Sequence, residues 1–239
     1  IQFGIKLCCL ATREQSRHQS LIASGVVEAL QWTTAHDKPY MGSSLAEFSA
    51  SATVALIGRN EGGLTLSREA ADAVLRDFMT YFAPNTRRGQ YLPVRALHPT
   101  QAVVNMVISD ANKAFVVEHD GALDALVAGL LLDEANPRRT QESGDELQAT
   151  CALAFQNLAL SDVGKAALRS HVGAMDGLRR VANSVGLTAE ARQHASGALF
   201  ELDESTRHQR PAASLSKDGG GTASGIVEHV MLSYNWDHQ

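Results

Sequence analysis

The stretch from Ala102 to Leu126, AVVNMVISDANKAFVVEHDGALDAL, is matched without a gap by the stretch from Ala154 to Leu178, AFQNLALSDVGKAALRSHVGAMDGL. The two stretches begin 52 residues apart, and many residues at corresponding positions are identical. Most of the other corresponding positions keep their polarity. Chance rarely produces so many matches in one register, and self-similarity at a fixed period is typical of repeat proteins. We therefore predict that the chain is an array of similar structural units.

The second stretch and the residues before it have the pattern of a short helical unit. Apolar residues recur there at helical spacing and form one stripe: Leu147, Cys151, Phe155 and Leu158. Ser161 ends this helix, a short helix follows, and Gly173 allows a tight junction before a third helix. A unit of this size buries too little apolar surface alone, so neighbouring units must stack to complete the core.

Weaker copies extend the array in both directions. Gly25 falls where Gly121 and Gly173 fall, and Ala198 repeats Ala154 after 44 residues. An offset of 44 lies within the period of about 40 to 47 residues that is typical of helical repeat families. The longer offset of 52 is attributed to an insertion at 133–145, which is polar and is interpreted as a loop.

The remaining segments are assigned from their local patterns. We predict helices at 45–56 and at 66–82, the second with Ser67 as its N-cap, and a loop containing one helical turn at 83–99. Residues 204–224 are polar and include three consecutive glycines, which is typical of a flexible linker. The predicted organisation is a helical repeat domain at 1–204, a linker at 205–227 and a short strand at 228–239.

Composition and charge disfavour several classes of protein. The net charge is -5, whereas nucleic-acid-binding domains are normally basic, so we expect no nucleic-acid partner. No apolar run approaches the roughly 18 residues that a membrane span needs, so we expect no membrane partner. The three cysteines are Cys8, Cys9 and Cys151, which is not the pattern of a disulfide framework. A reducing compartment, the cytoplasm, is therefore expected.

One segment carries a family resemblance. The residues Ala154-Phe155-Gln156-Asn157-Leu158-Ala159, followed after a short helix by Gly173-Ala174-Met175, resemble an armadillo repeat. The resemblance covers roughly residues 1–204. It implies an all-α fold, a right-handed helical solenoid whose concave groove holds an extended peptide or a partner protein.

The same resemblance selects candidate binding residues. Asn105 and Asn157 match the Asn that points into the groove of peptide-binding members, and Gln101 and Leu153 occupy the positions four residues earlier, where a Trp is often found. We predict that Asn105, Asn157 and Gln101 bind the partner. The alternative is that the two Asn side chains cap helices or bridge neighbouring repeats.

The C-terminal residues carry a second resemblance. The segment His229-Val230-Met231-Leu232-Ser233-Tyr234-Asn235-Trp236-Asp237 is similar to the first strand of a TIR domain, and it follows the Gly-rich linker. It implies a parent protein in which a repeat domain restrains or regulates TIR. The expected function is a non-catalytic, protein-binding regulatory module. The alternative is a domain that senses NAD or nicotinamide mononucleotide and autoinhibits a TIR NAD hydrolase, with Trp32, Tyr40, Arg87 and Arg88 converging in its pocket.

No residue set predicts catalysis or metal binding. His119 and His171 occupy equivalent positions in different repeats, and no cysteine or carboxylate accompanies both at ligand spacing. We instead expect each histidine to interact with the terminal carbonyls of its own helix. The chain is therefore predicted to contain no catalytic residue, no metal and no cofactor.

Overall fold

The structure is a computed structural model, which describes residues 15–36, 45–59, 65–82, 93–132 and 140–203. Within these ranges all regular secondary structure is helical, and no helix there is both long and apolar enough to cross a membrane. After a 3-10 turn at Gln15–Arg17 the described residues form eleven α-helices: α1 His18–Ala23, α2 Val26–His36, α3 Leu45–Ile57, α4 Arg68–Thr80, α5 Pro93–Ile108, α6 Asp110–Glu118, α7 Ala122–Leu130, α8 Gly144–Leu158, α9 Asp162–Ser170, α10 Ala174–Asn183 and α11 Ala189–Leu202. The prediction of an all-α fold is confirmed.

The longer helices lie in two layers that both follow the order of the chain. In the first layer α2 contacts α4, α4 contacts α7, and α7 contacts α10. In the second layer α3 contacts α5, α5 contacts α8, and α8 contacts α11. Each first-layer helix also packs against the second-layer helix that follows it in the chain. Helix pairs therefore stack in sequence order through the described part of the chain.

Short helices connect one pair to the next. Helix α6 lies between α5 and α7, helix α9 lies between α8 and α10, and the two short helices contact each other. Thus the two matching stretches, 102–126 and 154–178, contain the same order of elements: the end of a second-layer helix, a short helix and the start of a first-layer helix. The match in sequence corresponds to a match in local structure.

The stripe that predicted the core of α8 is buried. Leu147 is 2% exposed, and Cys151, Phe155 and Leu158 are completely buried. The helix that follows begins where a polar side chain can cap it, because Ser161 Oγ accepts a hydrogen bond from the Gly164 N–H at 3.2 Å. The amphipathic pattern and the cap together explain why the chain turns at this point.

Three glycines mark the junctions before first-layer helices. Gly25, Gly121 and Gly173 directly precede α2, α7 and α10. The first two have φ values of 78° and 79°, in the left-handed region that side chains disfavour. Gly173 has φ -96°, but a Cβ there would lie 3.3 Å from Val127 Cγ1 of α7. Glycine is thus favoured by the backbone conformation at two of these junctions and by close packing at the third.

The predicted loop at 83–99 is wrong in its second half. Helix α5 begins at Pro93 and continues through Pro99, while residues 83–92 lie outside the described ranges. Pro93 occupies the first helical position, where a missing N–H costs nothing. Pro99 lies further inside, and it is tolerated because Ala96, Ala102 and Val103 of the same helix pack into the core. Packing here outweighs a helix-breaking residue.

The insertion loop predicted at 133–145 overlaps the start of a helix at its C-terminal end. Helix α7 ends at Leu130, and α8 already begins at Gly144, after Ser143 adopts a left-handed φ of 62°. Residues 133–139 lie outside the described ranges, as do residues 1–14, the predicted linker at 205–227 and the predicted strand at 228–239. The helices predicted at 45–56 and 66–82 are confirmed, and Ser67 Oγ accepts from the Ala70 N–H at 3.2 Å.

Candidate functional site

Asn105 and Asn157 lie at equivalent positions on two neighbouring helices. Asn105 is on α5 and Asn157 is on α8, which pack against each other in the second layer. Both side chains are half-buried, and neither side-chain amide makes a hydrogen bond to any other described residue. The structure therefore does not give them the capping or bridging contacts that were the alternative to binding.

The residues four positions earlier differ in exposure. Gln101 is exposed on α5, whereas Leu153 on α8 is half-buried and packs against the core. Residues four apart lie on one helix face, so Gln101 shares the face of Asn105 and Leu153 that of Asn157. The three predicted binding residues are thus on one layer, with Gln101 the most exposed of them.

Two exposed aliphatic residues extend this face and were not predicted. Ile108 lies one turn after Asn105 and is 42% exposed, and Leu160 lies one turn after Asn157 and is 56% exposed. They are separated by the same 52 residues as the two Asn residues. We call the set Gln101, Asn105, Ile108, Leu153, Asn157 and Leu160 the amide face. The self-match at 102–126 and 154–178 contained this signal, because it pairs the two positions.

The next helix of the layer ends the pattern. Counting 44 residues from Asn157 leads to Glu201 on α11, whose carboxylate lies 3.6 Å from the ammonium of Lys165 on α9. The Lys165 side chain is only 9% exposed, so the ion pair compensates a charge that would be costly to bury alone. At the position equivalent to Asn105 and Asn157, α11 therefore carries an acidic side chain that is engaged in an ion pair within the chain.

His119 and His171 make contacts different from those predicted. His171 Nε2 lies 3.2 Å from Asp124 Oδ1 of α7, and His119 Nε2 lies 4.0 Å from Asp72 Oδ1 of α4. The expectation that they interact with the terminal carbonyls of their own helices is wrong, since each ring reaches back to a preceding first-layer helix. In the described ranges no three histidine, cysteine or acidic side chains are grouped so as to hold a metal ion.

Cys151 lies in the core rather than at a surface. Its side chain is completely buried on α8, and burial raises the pKa of the thiol far above its ordinary value. A thiol held in its protonated form is a poor nucleophile, because the thiolate is the reactive species. Cys151 is therefore a packing residue, and Cys8 and Cys9 lie outside the described residues.

The pocket expected for a nucleotide is only partly described. Trp32 on α2 is 64% exposed, and its ring stacks on His36 with 4.7 Å between centroids. Tyr40, Arg87 and Arg88, which would have to converge with Trp32, lie outside the described ranges. This convergence stays a prediction.

Comparison of the chain with protein-family models, with curated proteins and with solved structures gave no match.

Proposed function

We propose that this chain is an armadillo-like, right-handed helical solenoid that binds an extended segment of a partner protein and has no catalytic role. The observation that carries the proposal is the pair of side-chain amides of Asn105 and Asn157, which lie on packed helices and make no hydrogen bond to another described residue. An Asn side chain offers both a donor and an acceptor, which are the two groups that one peptide unit requires. Two such amides in register suit the backbone of an extended peptide.

The aliphatic residues of the amide face support the same ligand class. Ile108 and Leu160 each lie one turn after an Asn, so a polar and an apolar contact alternate along α5 and again at the end of α8. A peptide presents the same alternation of backbone amides and side chains. The net charge of -5 argues against a nucleic acid as the occupant.

The regulatory part of the proposal depends on sequence alone. The linker predicted at 205–227 and the sequence similarity of 228–239 to the first strand of a TIR domain support the proposal that the module regulates a TIR domain. The partner segment on the amide face then belongs to a protein whose recruitment or release changes that regulation. No cofactor takes part in this proposal.

The test starts from a random-peptide library displayed on phage and selected on the purified chain. The affinities of enriched peptides are measured by fluorescence polarisation for the wild type and for Asn105→Ala and Asn157→Ala. Each substitution should weaken binding about tenfold, because it removes hydrogen bonds to the peptide. The control is Asn183→Ala, an exposed Asn of the first layer whose amide donates to the Arg179 carbonyl at 2.9 Å.

Two results would contradict the proposal. Enriched peptides that bind all variants equally would show that the amide face is not the binding site. A library that yields no binder would contradict peptide binding itself. A thermal-shift screen on the same protein covers the alternative function. A selective rise in melting temperature with NAD or nicotinamide mononucleotide would make nucleotide sensing the better account.

A further inference from the structure

The histidine contacts recur with the repeat. His119 and His171 each lie two residues before the glycine that precedes a first-layer helix. Each histidine ring faces an aspartate near the start of the previous first-layer helix. Asp72 and Asp124 are themselves separated by the 52 residues that separate the two histidines. Both partners of the contact therefore follow the period of the array.

The contact at His171 has a defined chemistry. Gly173 N–H donates to His171 Nδ1 at 3.2 Å, so Nδ1 is an acceptor and carries no hydrogen. The ring hydrogen is then on Nε2, which faces Asp124 Oδ1 at 3.2 Å and donates to it. The backbone turn at Gly173 thus selects the tautomer that can bind the carboxylate of the neighbouring unit.

The contact at His119 is looser. Its Nδ1 faces the Asp120 carbonyl at 3.2 Å instead of an N–H, and the 4.0 Å between Nε2 and Asp72 Oδ1 exceeds hydrogen-bond distance. Both histidine side chains are only 18% exposed. A carbonyl oxygen only accepts, so the hydrogen of a neutral His119 ring is on Nδ1 and Nε2 has none to donate to Asp72. The two copies therefore share their position and burial, but only His171 has the tautomer that donates to the aspartate.

We propose that the His171–Asp124 contact is a clasp that fixes the spacing of the first-layer helices α7 and α10. The clasp is independent of any ligand on the amide face. A third aspartate at the same repeat position, Asp176, pairs within its own helix with Arg179 at 3.1 Å. That pair supplies a matched contact that crosses no interface between units.

A double-mutant cycle tests the clasp. The folding equilibrium constant is measured by urea unfolding for the wild type, His171→Ala, Asp124→Ala and the double variant of the full chain. His171→Ala should lower the constant about three- to fivefold more when Asp124 is present than when it is absent. The same cycle for Asp176 and Arg179 should give a coupling factor near one, which means that the two substitutions act independently. The cycle for His119 and Asp72 should give a smaller coupling factor than the cycle for His171 and Asp124.

Nitrogen-15 NMR of the histidine rings provides a readout that general destabilisation would not change. His171 should show a hydrogen on Nε2 and none on Nδ1, and in Asp124→Ala the Nε2 resonance should shift. His171→Gln, whose amide can still donate to Asp124, should retain part of the stability if His171→Ala unfolds. A hydrogen on Nδ1, or equal effects of His171→Ala with and without Asp124, would overturn the proposal.

Discussion

Polar side chains connect the helices at the level of single residues. Gln148 of α8 is completely buried, and its Nε2 donates to the carbonyls of Leu130 and Leu132 at 2.9 and 2.7 Å. Arg169 of α9 similarly donates to the Leu202 carbonyl at 2.8 Å. The last carbonyls of a helix have no partner within it, so these side chains complete the ends of α7 and α11. The layers are thereby joined by specific hydrogen bonds as well as by apolar packing.

The Gln148→Ala variant should lose about 2–3 kcal/mol of unfolding free energy, because two buried carbonyls lose their donor. Chemical denaturation followed by circular dichroism measures the loss. Gln193→Ala on α11 is the matched control, since Gln193 is exposed, and it should change stability by less than about 0.5 kcal/mol. Equal effects of the two substitutions would show that the contacts of Gln148 contribute nothing.

His194 should make stability depend on pH. Burial lowers its pKa below the ordinary value of 6.5, and the Glu190 carboxylate offsets part of this effect. The unfolded chain then binds more protons in the window below 6.5, so the unfolding free energy falls as pH is lowered through that window. His194→Gln should remove this part of the pH dependence in urea midpoints. A midpoint profile unchanged by His194→Gln would contradict the assignment.

At the scale of elements, small residues determine how closely the helices approach. Gly129 of α7 faces Cys151 of α8, and a Cβ at this glycine would overlap the Cys151 sulfur. Gly177 of α10 faces α7, where a Cβ would lie 3.1 Å from Leu130 Cδ2. Both contacts lie between successive helices of the array, so the spacing of its units depends on side-chain volume at a few positions.

Gly129→Ala should destabilise the chain by about 1–3 kcal/mol through overpacking. Adding Cys151→Ala should recover part of that loss, because it removes the sulfur that the new methyl group would meet. The unfolding free energies of the two single variants and of the double variant give the coupling. Ala128→Ser, at the adjacent exposed position, is the control. If the effects of the two substitutions on the unfolding free energy are strictly additive, the strain arises elsewhere. One such place is the Phe82 ring, which lies 3.1 Å from the position of a Cβ at residue 129.

At the scale of the whole molecule, the described apolar core divides into two clusters of different size. The larger one includes residues from α3 through α11, and the smaller one contains Val27 and Leu30 of α2 with three residues of α3. The buried residues of α2 therefore pack into a small cluster of their own. Local stability follows the number of buried apolar contacts, so it should differ between the two ends of the array.

Native-state hydrogen exchange should consequently show the α2 amides exchanging through a local opening, at a lower free energy than the amides of α8. Exchange of α8 should instead require global unfolding, because it packs against α5, α7 and α11. The measurement is mass spectrometry or NMR on the intact chain over increasing low concentrations of denaturant. Equal opening free energies for α2 and α8 would show a single cooperative unit instead.

The sequence predicted the helices and their repetition better than the contacts between repeats. Gly121 and Gly173 marked equivalent junctions because their backbone and packing requirements act locally. The contact of His171 with Asp124 spans 47 residues, and nothing in the local pattern of either residue indicates the other. The start of α5 was missed because Pro93 and Pro99 were interpreted from local propensity, which burial of the helix overrides. Asn105 and Asn157 lie on two helices that pack against each other, and their binding role stays a proposal.

The order in which the second-layer helices pack bears on folding during translation. Helix α5 packs on α3, α8 on α5 and α11 on α8, so each new helix meets one that was synthesised earlier. During translation, the surface on which a helix must settle has therefore already left the ribosome. Contacts between near neighbours along the chain also favour rapid assembly. Each helix of this layer can accordingly pack against its neighbour as soon as it emerges, because that neighbour was synthesised before it.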